Sequence, residues 1–146
     1  MKYLEEYGQF HHAGLAAVSL ESSVEQLLEL GYRLEGASFI DGNQGVKGQF
    51  LTMGDHRIEV LSDLPGQETV APWLQQGGLI PYHFGYLVNN LDLAISAVQD
   101  TGMRLLRNPM PAVAFQGRDI AFLLSRSRLL IELIQQDRNE LDEEIE

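Results

Sequence analysis

Tyr82-His83-Phe84-Gly85-Tyr86 decides the reading, because it echoes Phe10-His11-His12-Ala13-Gly14 at an interval of 71 residues. Shifting the chain by that interval lays His12 on His83, Gly14 on Gly85, Leu20 on Leu91 and Val24 on Ile95. The same shift lays Gly31 on Gly102, Arg33 on Arg104 and Leu34 on Leu105, without a gap. An interval of this length is too long for a solenoid repeat and fits a small α/β unit used twice.

Working outward, His11 to Val18 is small and apolar and predicts a strand, with His12, Gly14, Ala16 and Val18 on one face. Ser22 or Ser23 is the expected cap of a short helix whose apolar positions are Val24, Leu27, Leu28 and Leu30, and Gly31 is the expected stop. Tyr32–Ser38, Val46–Met53 and Arg57–Leu61 read as three further strands, joined by turns at Asp41–Gly45 and Gly54-Asp55. The second unit repeats the order. Tyr82–Val88 is its first strand, Asp92–Thr101 a helix ending at Gly102, and Arg104–Arg107, Ile120–Ser125 and Arg128–Ile134 are strands, with a turn or lid at Phe115–Asp119. Between the units a linker carries a short helical segment, Glu68–Gln76. The expected organisation is one domain: a first βαβββ module over 9–63, a linker over 64–79, a second module over 80–136 and an acidic tail over 137–146.

Composition narrows the function. The chain has 146 residues, no cysteine and a formal charge of −11, so disulfides, thiolate ligands and a cysteine nucleophile are excluded. The acidic balance opposes nucleic acid, whose binding runs on Lys and Arg displacing counterions. No apolar run reaches the roughly 20 residues of a membrane helix, and Met1–Glu6 lacks the charge pattern of a signal peptide. A cytoplasmic protein with no nucleic-acid or membrane partner is the expectation.

The closing strands also correspond, Ile58-Glu59-Val60 with Ile131-Glu132-Leu133, now at an interval of 73. Each module therefore offers a histidine in its first strand and a glutamate in its last. If a pseudo-twofold axis relates the copies, His12, Glu59, His83 and Glu132 can converge as two imidazoles and two carboxylates, a donor set suited to a divalent metal. A dication would neutralise the two carboxylates, which otherwise repel. His11 and His56 have no partner in the repeat and read as structural or exposed.

The paired modules, with HHAGLAAV (11–18) and YHFGYLV (82–88) opening them and IEVL (58–61) and LLIELI (129–134) closing them, resemble the vicinal oxygen chelate superfamily. That group includes glyoxalase I, methylmalonyl-CoA epimerase, extradiol dioxygenases and fosfomycin or bleomycin resistance proteins. Gly45–Phe50, Thr69–Leu74 and Arg118–Phe122 are most similar to the epimerase branch. The resemblance implies an α+β fold whose tandem modules form a cup-shaped, curved mixed sheet, and a homodimer. It implies one divalent ion, Zn, Ni, Co, Mn or Fe, on His12, Glu59, His83 and Glu132. It also implies Gly48, Phe50 and Arg118 as substrate contacts.

The activity so implied is that of an isomerase or lyase that removes a proton beside a metal-chelated carbonyl, through an enediolate. Its substrate is an acyl thioester or a similar carbonyl compound. Epimerases of this branch keep a catalytic glutamate in the third strand, where this chain has Gly48 followed by Gln49, so proton removal falls to a metal-bound glutamate, Glu132 or Glu59, or to a metal-bound hydroxide, or does not occur. Only two lysines, Lys2 and Lys47, are present, which leaves arginines such as Arg107 and Arg118 for a CoA phosphate. Two alternatives stand beside this reading. A non-haem iron dioxygenase would use His12 or His83 with Glu132, and Glu59 argues against it by filling a position that oxygen needs. A binding protein for an antibiotic or other small molecule would need no complete ligand set.

Overall fold

A computed structural model describes residues 2–74 and 78–137; of the expected acidic tail it includes only Asp137. The chain runs α1 (Tyr3–Tyr7), β1 (Gly8–Ala17), α2 (Leu20–Leu30), β2 (Arg33–Asp41), β3 (Val46–Met53) and β4 (His56–Asp63). It continues with β5 (Leu79–Val88), α3 (Leu91–Gln99), β6 (Arg104–Leu105), β7 (Met110–Pro111), β8 (Asp119–Leu124) and β9 (Leu130–Gln135). Among the described residues no helix is long and apolar enough to cross a membrane. They gather into two compact units, His12–Tyr82 and a second made of the chain up to His11 with the chain from His83 onward.

The expected duplication is present in the topology. In the first module the strands lie in the order β2-β3-β4-β1, with β1 parallel to β4 and the others antiparallel. In the second the order is β6-β8-β9-β5, with β5 parallel to β9, and β7 added along β8. Each module is therefore a βαβββ unit with the same pairing, in an α+β fold.

One helix packs on one face of each sheet. Leu20, Ser23 and Leu27 of α2 are buried, and the two leucines pack with Leu15, Leu51, Ile58 and Val60. Leu91, Ala94, Ile95 and Val98 of α3 are buried with Leu123, Ile131 and Leu133. Each such leucine or isoleucine taken out of water stabilises the fold by about 1.5–3 kcal/mol before chain entropy is counted. Leu28, expected on the apolar stripe, is exposed because it lies outside the arc set by positions 20, 23 and 27, and Leu30 is exposed as the last residue of the helix. The cap is Ser19, whose hydroxyl oxygen accepts from Ser22 N at 3.2 Å, and not Ser22 or Ser23, which lie inside the first turn. Asn90 does the same for α3, accepting from Leu93 N at 3.1 Å, so the caps also obey the 71-residue interval. Gly31 ends α2 as expected, at φ 112° in the left-handed region.

Other boundaries differ from expectation. The strand expected over Arg104–Arg107 shortens to two residues, and α1 and β7 are additions. In place of the helix expected over Glu68–Gln76, the described residues hold a single 3-10 turn at Ala71–Trp73. Pro72 explains the brevity, since it supplies no N–H and a longer helix would need one. The turn is held instead by Asp63 at the end of β4. Its carboxylate accepts from the backbone N–H groups of Thr69 at 2.9 Å, Val70 at 2.8 Å and Ala71 at 3.1 Å. Thr69 Oγ1 donates to Gln44 O at 2.7 Å. This clamp sets fully buried Val70 beside Ala16, Val46 and Leu61, with Trp73 and Tyr82 packed against them. The two rings lie 5.8 Å apart.

Asp63→Ala is expected to destabilise the protein by about 2–3 kcal/mol, the worth of a charge-assisted set of hydrogen bonds. Because Trp73 is the only tryptophan, its emission should shift to the red at temperatures below global unfolding. A melt in which Trp73 emission and far-ultraviolet dichroism move together, with an unchanged midpoint, would show that Asp63 does not hold the linker.

Candidate functional site

Strand register explains how each module brings its histidine to its glutamate. In the first module Gly14 on β1 lies opposite Glu59 on β4, and His12, two residues earlier, shares the face of Gly14. In the second, Gly85 on β5 lies opposite Glu132 on β9, and His83 shares the face of Gly85. A glycine thus stands opposite the glutamate in each module. His12 Nε2 lies 3.2 Å from Glu59 Oε1, and His83 Nε2 lies 3.2 Å from Glu132 Oε1. All four residues are buried, none more than 3% exposed.

This geometry fits a metal ligand pair. Donor atoms about 2.1 Å from one ion, at octahedral or tetrahedral angles, stand about 3.0–3.4 Å from each other. In the second module the contact is not a hydrogen bond: the buried atom Glu132 Oε1 makes none, and neither does His83 Nδ1, which suits a carboxylate oxygen waiting for a cation. Burying charged groups costs several kcal/mol per ion unless they are well compensated, so a pair of this kind, built twice, needs a reason beyond stability.

Each histidine ring also rests edge-on against a phenylalanine from the third strand of its module. His12 meets Phe50 with centroids 5.6 Å apart and planes at 77°, and His83 meets Phe122 at 5.4 Å and 87°. Phe50 pairs with Glu59, and Phe122 with Glu132. Phe122 is thus the counterpart of Phe50, and sequence reading missed it because their interval is 72, between the 71 of the first strands and the 73 of the last. Sliding the chain by one more residue would have found it.

The remaining predicted positions fall as follows. Gly48 pairs with Leu61 and so shares the face of Glu59; a Cβ there would collide with the ring of Phe39 and come within 2.6 Å of Leu61 Cδ2. Gln49 points to the opposite face, where its amide donates to the carbonyls of Gly36 at 3.0 Å and Phe50 at 2.9 Å, beside the irregularity in β2 between Glu35 and Phe39. Arg118 is engaged in its own turn, donating from Nε to Phe115 O at 3.0 Å, from Nη1 to Gln135 O at 3.3 Å and from Nη2 to Gln116 Oε1 at 3.3 Å. The segment expected as a turn or lid is a tight turn, with Gln116 at φ 54° and Gly117 at φ 83°. His11 is half-buried against Phe115 at 5.3 Å, and exposed His56 lies 5.7 Å from Tyr32.

The fold recurs in known proteins. The chain is 26% identical over 119 residues to an ethylmalonyl-CoA/methylmalonyl-CoA epimerase from Cereibacter sphaeroides, covering 80% of this chain and 87% of that protein. Among solved structures, a hypothetical protein from Bacillus halodurans superposes with a TM-score of 0.76 at 26% identity, over 89% of this chain and 95% of that one. The methylmalonyl-CoA epimerase of Mycobacterium tuberculosis gives 0.73 at 22% identity, over 91% of each chain, a likeness of fold. A sequence profile of one family matches residues 11–122, which include His12, Glu59 and His83, and by that match the chain belongs to the Glyoxalase/Bleomycin resistance protein/Dioxygenase superfamily.

Proposed function

We propose that the protein is a divalent-metal-dependent isomerase or lyase that removes a proton from the carbon next to a carbonyl, with an acyl thioester as the favoured substrate class. The observation that carries this reading is the duplicated, buried His–Glu pair, set in the same register in both modules. In this reading His12, Glu59, His83 and Glu132 together hold one ion. Bound there, a divalent cation would act as a Lewis acid on the substrate's oxygen atoms and raise the acidity of the adjacent C–H. The names of the epimerase relatives favour a malonyl-type acyl-CoA.

The protein's own groups then have defined tasks. Phe50 and Phe122 fix the planes of the imidazoles and keep water from their edges. Position 48 supplies no base, and its surroundings have closed over the place where a side chain would stand, Phe39 and Leu61 occupying the space. Proton transfer therefore falls to a carboxylate of the pairs, Glu132 or Glu59, which takes the α-proton and returns it. A binding protein without catalysis is the reading that the apolar surroundings of Gly48 favour, and proton exchange separates the two.

Protein purified under metal-replete conditions is expected to carry about one divalent ion per chain by mass spectrometry. His83→Ala and Glu132→Ala should each weaken binding by more than about 100-fold, beyond the loss typical of outer groups that only orient a ligand. Wild-type protein that retains no metal would sink the proposed site.

In deuterated water the α-proton of a malonyl-type or propionyl thioester is expected to exchange, and Glu132→Gln or Glu59→Gln should slow exchange by about 10²–10⁴-fold, as loss of a general base does. Unchanged thioester and hemithioacetal spectra after prolonged incubation with metal-loaded protein would favour the binding reading.

Gly48→Glu, which places a carboxylate at the epimerase position, is expected to destabilise the protein by at least about 1–3 kcal/mol through overpacking, without raising exchange. A stable variant with faster exchange would show that the wall at Phe39 and Leu61 yields.

A further inference from the structure

The second module carries a pocket of about 380 Å³ lined by Gly102, Arg104, Leu124, Ser125, Arg126 and Arg128. Three arginines line it, and among the described residues no acidic one does, in a chain of 21 acidic and only 10 basic residues. Such a concentration of positive charge runs against the character of the whole molecule. The C-terminal end of α3 lies just before Gly102, but its dipole amounts to about half a negative charge and is outweighed by three arginines.

The surrounding backbone is shaped to present these groups. The β8–β9 turn is closed by Ser125 N donating to Leu129 O at 2.9 Å and by Arg128 N donating to Ser125 O at 3.0 Å. Ser125 Oγ accepts from Leu129 N at 2.9 Å. Within it Arg128 adopts φ 68°, a conformation that disfavours a residue with a Cβ by roughly 1–2 kcal/mol. Asparagine or glycine would fit there without that strain, yet the turn holds an arginine.

The pocket also lies on the face of the sheet that matters. Arg104 pairs with Leu124, Leu124 with Leu130, and Leu130 with His83, so Arg104 and His83 occupy one row across β6, β8, β9 and β5. Paired residues share a face, and three strand spacings amount to about 14 Å. A flexible substrate with its carbonyl at His83 and Glu132 could lay an anionic tail at that distance.

We propose that this pocket is a phosphate subsite, which receives the phosphorylated, nucleotide-bearing end of the carrier of an acyl thioester. Guanidiniums are the side chains suited to it, because their forked donors match phosphate oxygens two at a time. The pocket's volume falls within the ordinary range for small-molecule sites, about 300–1,000 Å³, and exceeds the needs of one phosphate. Two other basic groups are less suited: Lys47 is held by Glu21 at 2.8 Å, and Arg118 is engaged in its turn; Arg107 does not line the pocket. The assignment of the tail to a thioester carrier rests on the proposed function, whereas the recognition of phosphate does not.

The test uses the full-length, zinc-loaded protein labelled with ¹⁵N, titrated separately with pyrophosphate, coenzyme A and pantetheine, which lacks phosphate. Pyrophosphate and coenzyme A are expected to move the amide signals of Gly102 and Ser125–Arg128 saturably. The double variant Arg104→Ala/Arg126→Ala should weaken coenzyme A by at least about tenfold, as loss of charge-assisted hydrogen bonds does, while pantetheine affinity and zinc content stay unchanged. Absence of saturable shifts, or coenzyme A binding the double variant as tightly as wild type, would overturn the subsite. Pyrophosphate that saturates the pocket while coenzyme A binds no tighter than pantetheine would overturn its assignment to a thioester carrier, leaving a site for free phosphate anions. Protein that binds pyrophosphate at these residues but never retains zinc would instead count against the proposed metal chemistry.

Discussion

A glutamate in the middle of a buried strand must be compensated, and the structure of each module follows from how that is done. Glu59 and Glu132 are flanked by residues of the apolar core, so their strands cannot turn over to bring the carboxylates to water without exposing Ile58 and Val60, or Ile131 and Leu133. Parallel pairing with the first strand puts a glycine opposite each acid and a histidine one pleat away, and the imidazole completes the compensation. Net stabilities of domains are about 5–15 kcal/mol. Replacing a buried ion pair by apolar residues often stabilises a protein by about 1–4 kcal/mol. A chain that keeps two such pairs at equivalent places therefore forgoes stability that leucines could provide, which is what a ligand-holding site requires.

The same period-two alternation divides the labour between the faces of each sheet. Odd positions of β4, Glu59 and Leu61, face the histidine side, and even positions, Ile58 and Val60, serve the helix, with Val60 packed against α2. The modules diverge on the histidine side. In the first, the Asp63 clamp lays Val70 and Trp73 over the sheet and Phe39 closes the space at Gly48. In the second, the β8–β9 turn is longer and charged, and a pocket opens beside it. Duplication supplied two equal frames, and the loops differ in what they add to each, while both His–Glu pairs stay buried.

The sequence was most legible where one interval governed several residues at once. His12 with His83, Gly14 with Gly85 and Gly31 with Gly102 recur at 71 and mark both first strands and both helices, and a second correspondence at 73 marks the glutamates on the closing strands. Legibility failed where the physics is not local. Ser19 was passed over as a cap because Ser22 and Ser23 offer the same chemistry three residues on, and only the path of the chain out of β1 decides among them. The helix expected over Glu68–Gln76 was overruled by Asp63, a residue outside the segment whose carboxylate takes up the amides of 69–71. Phe122 is hidden by a one-residue change in the interval.

Gly48 shows what duplication leaves to evolve. The residue lies on the face of Glu59, two positions from Phe50, so a carboxylate there would stand on the same side of the sheet as the pair itself. Phe39 and Leu61 fill that volume, and Phe39 in turn lies 6.0 Å from Phe50, which steadies His12. The ring of Phe39 as placed and a Cβ at position 48 therefore exclude each other. The ring extends apolar contact up to the imidazole. A second acid near His12 and Glu59 would add like charge to a buried site and raise the affinity of one carboxylate for a proton. The glycine at 48 therefore keeps the surroundings of the His12–Glu59 pair apolar on that side.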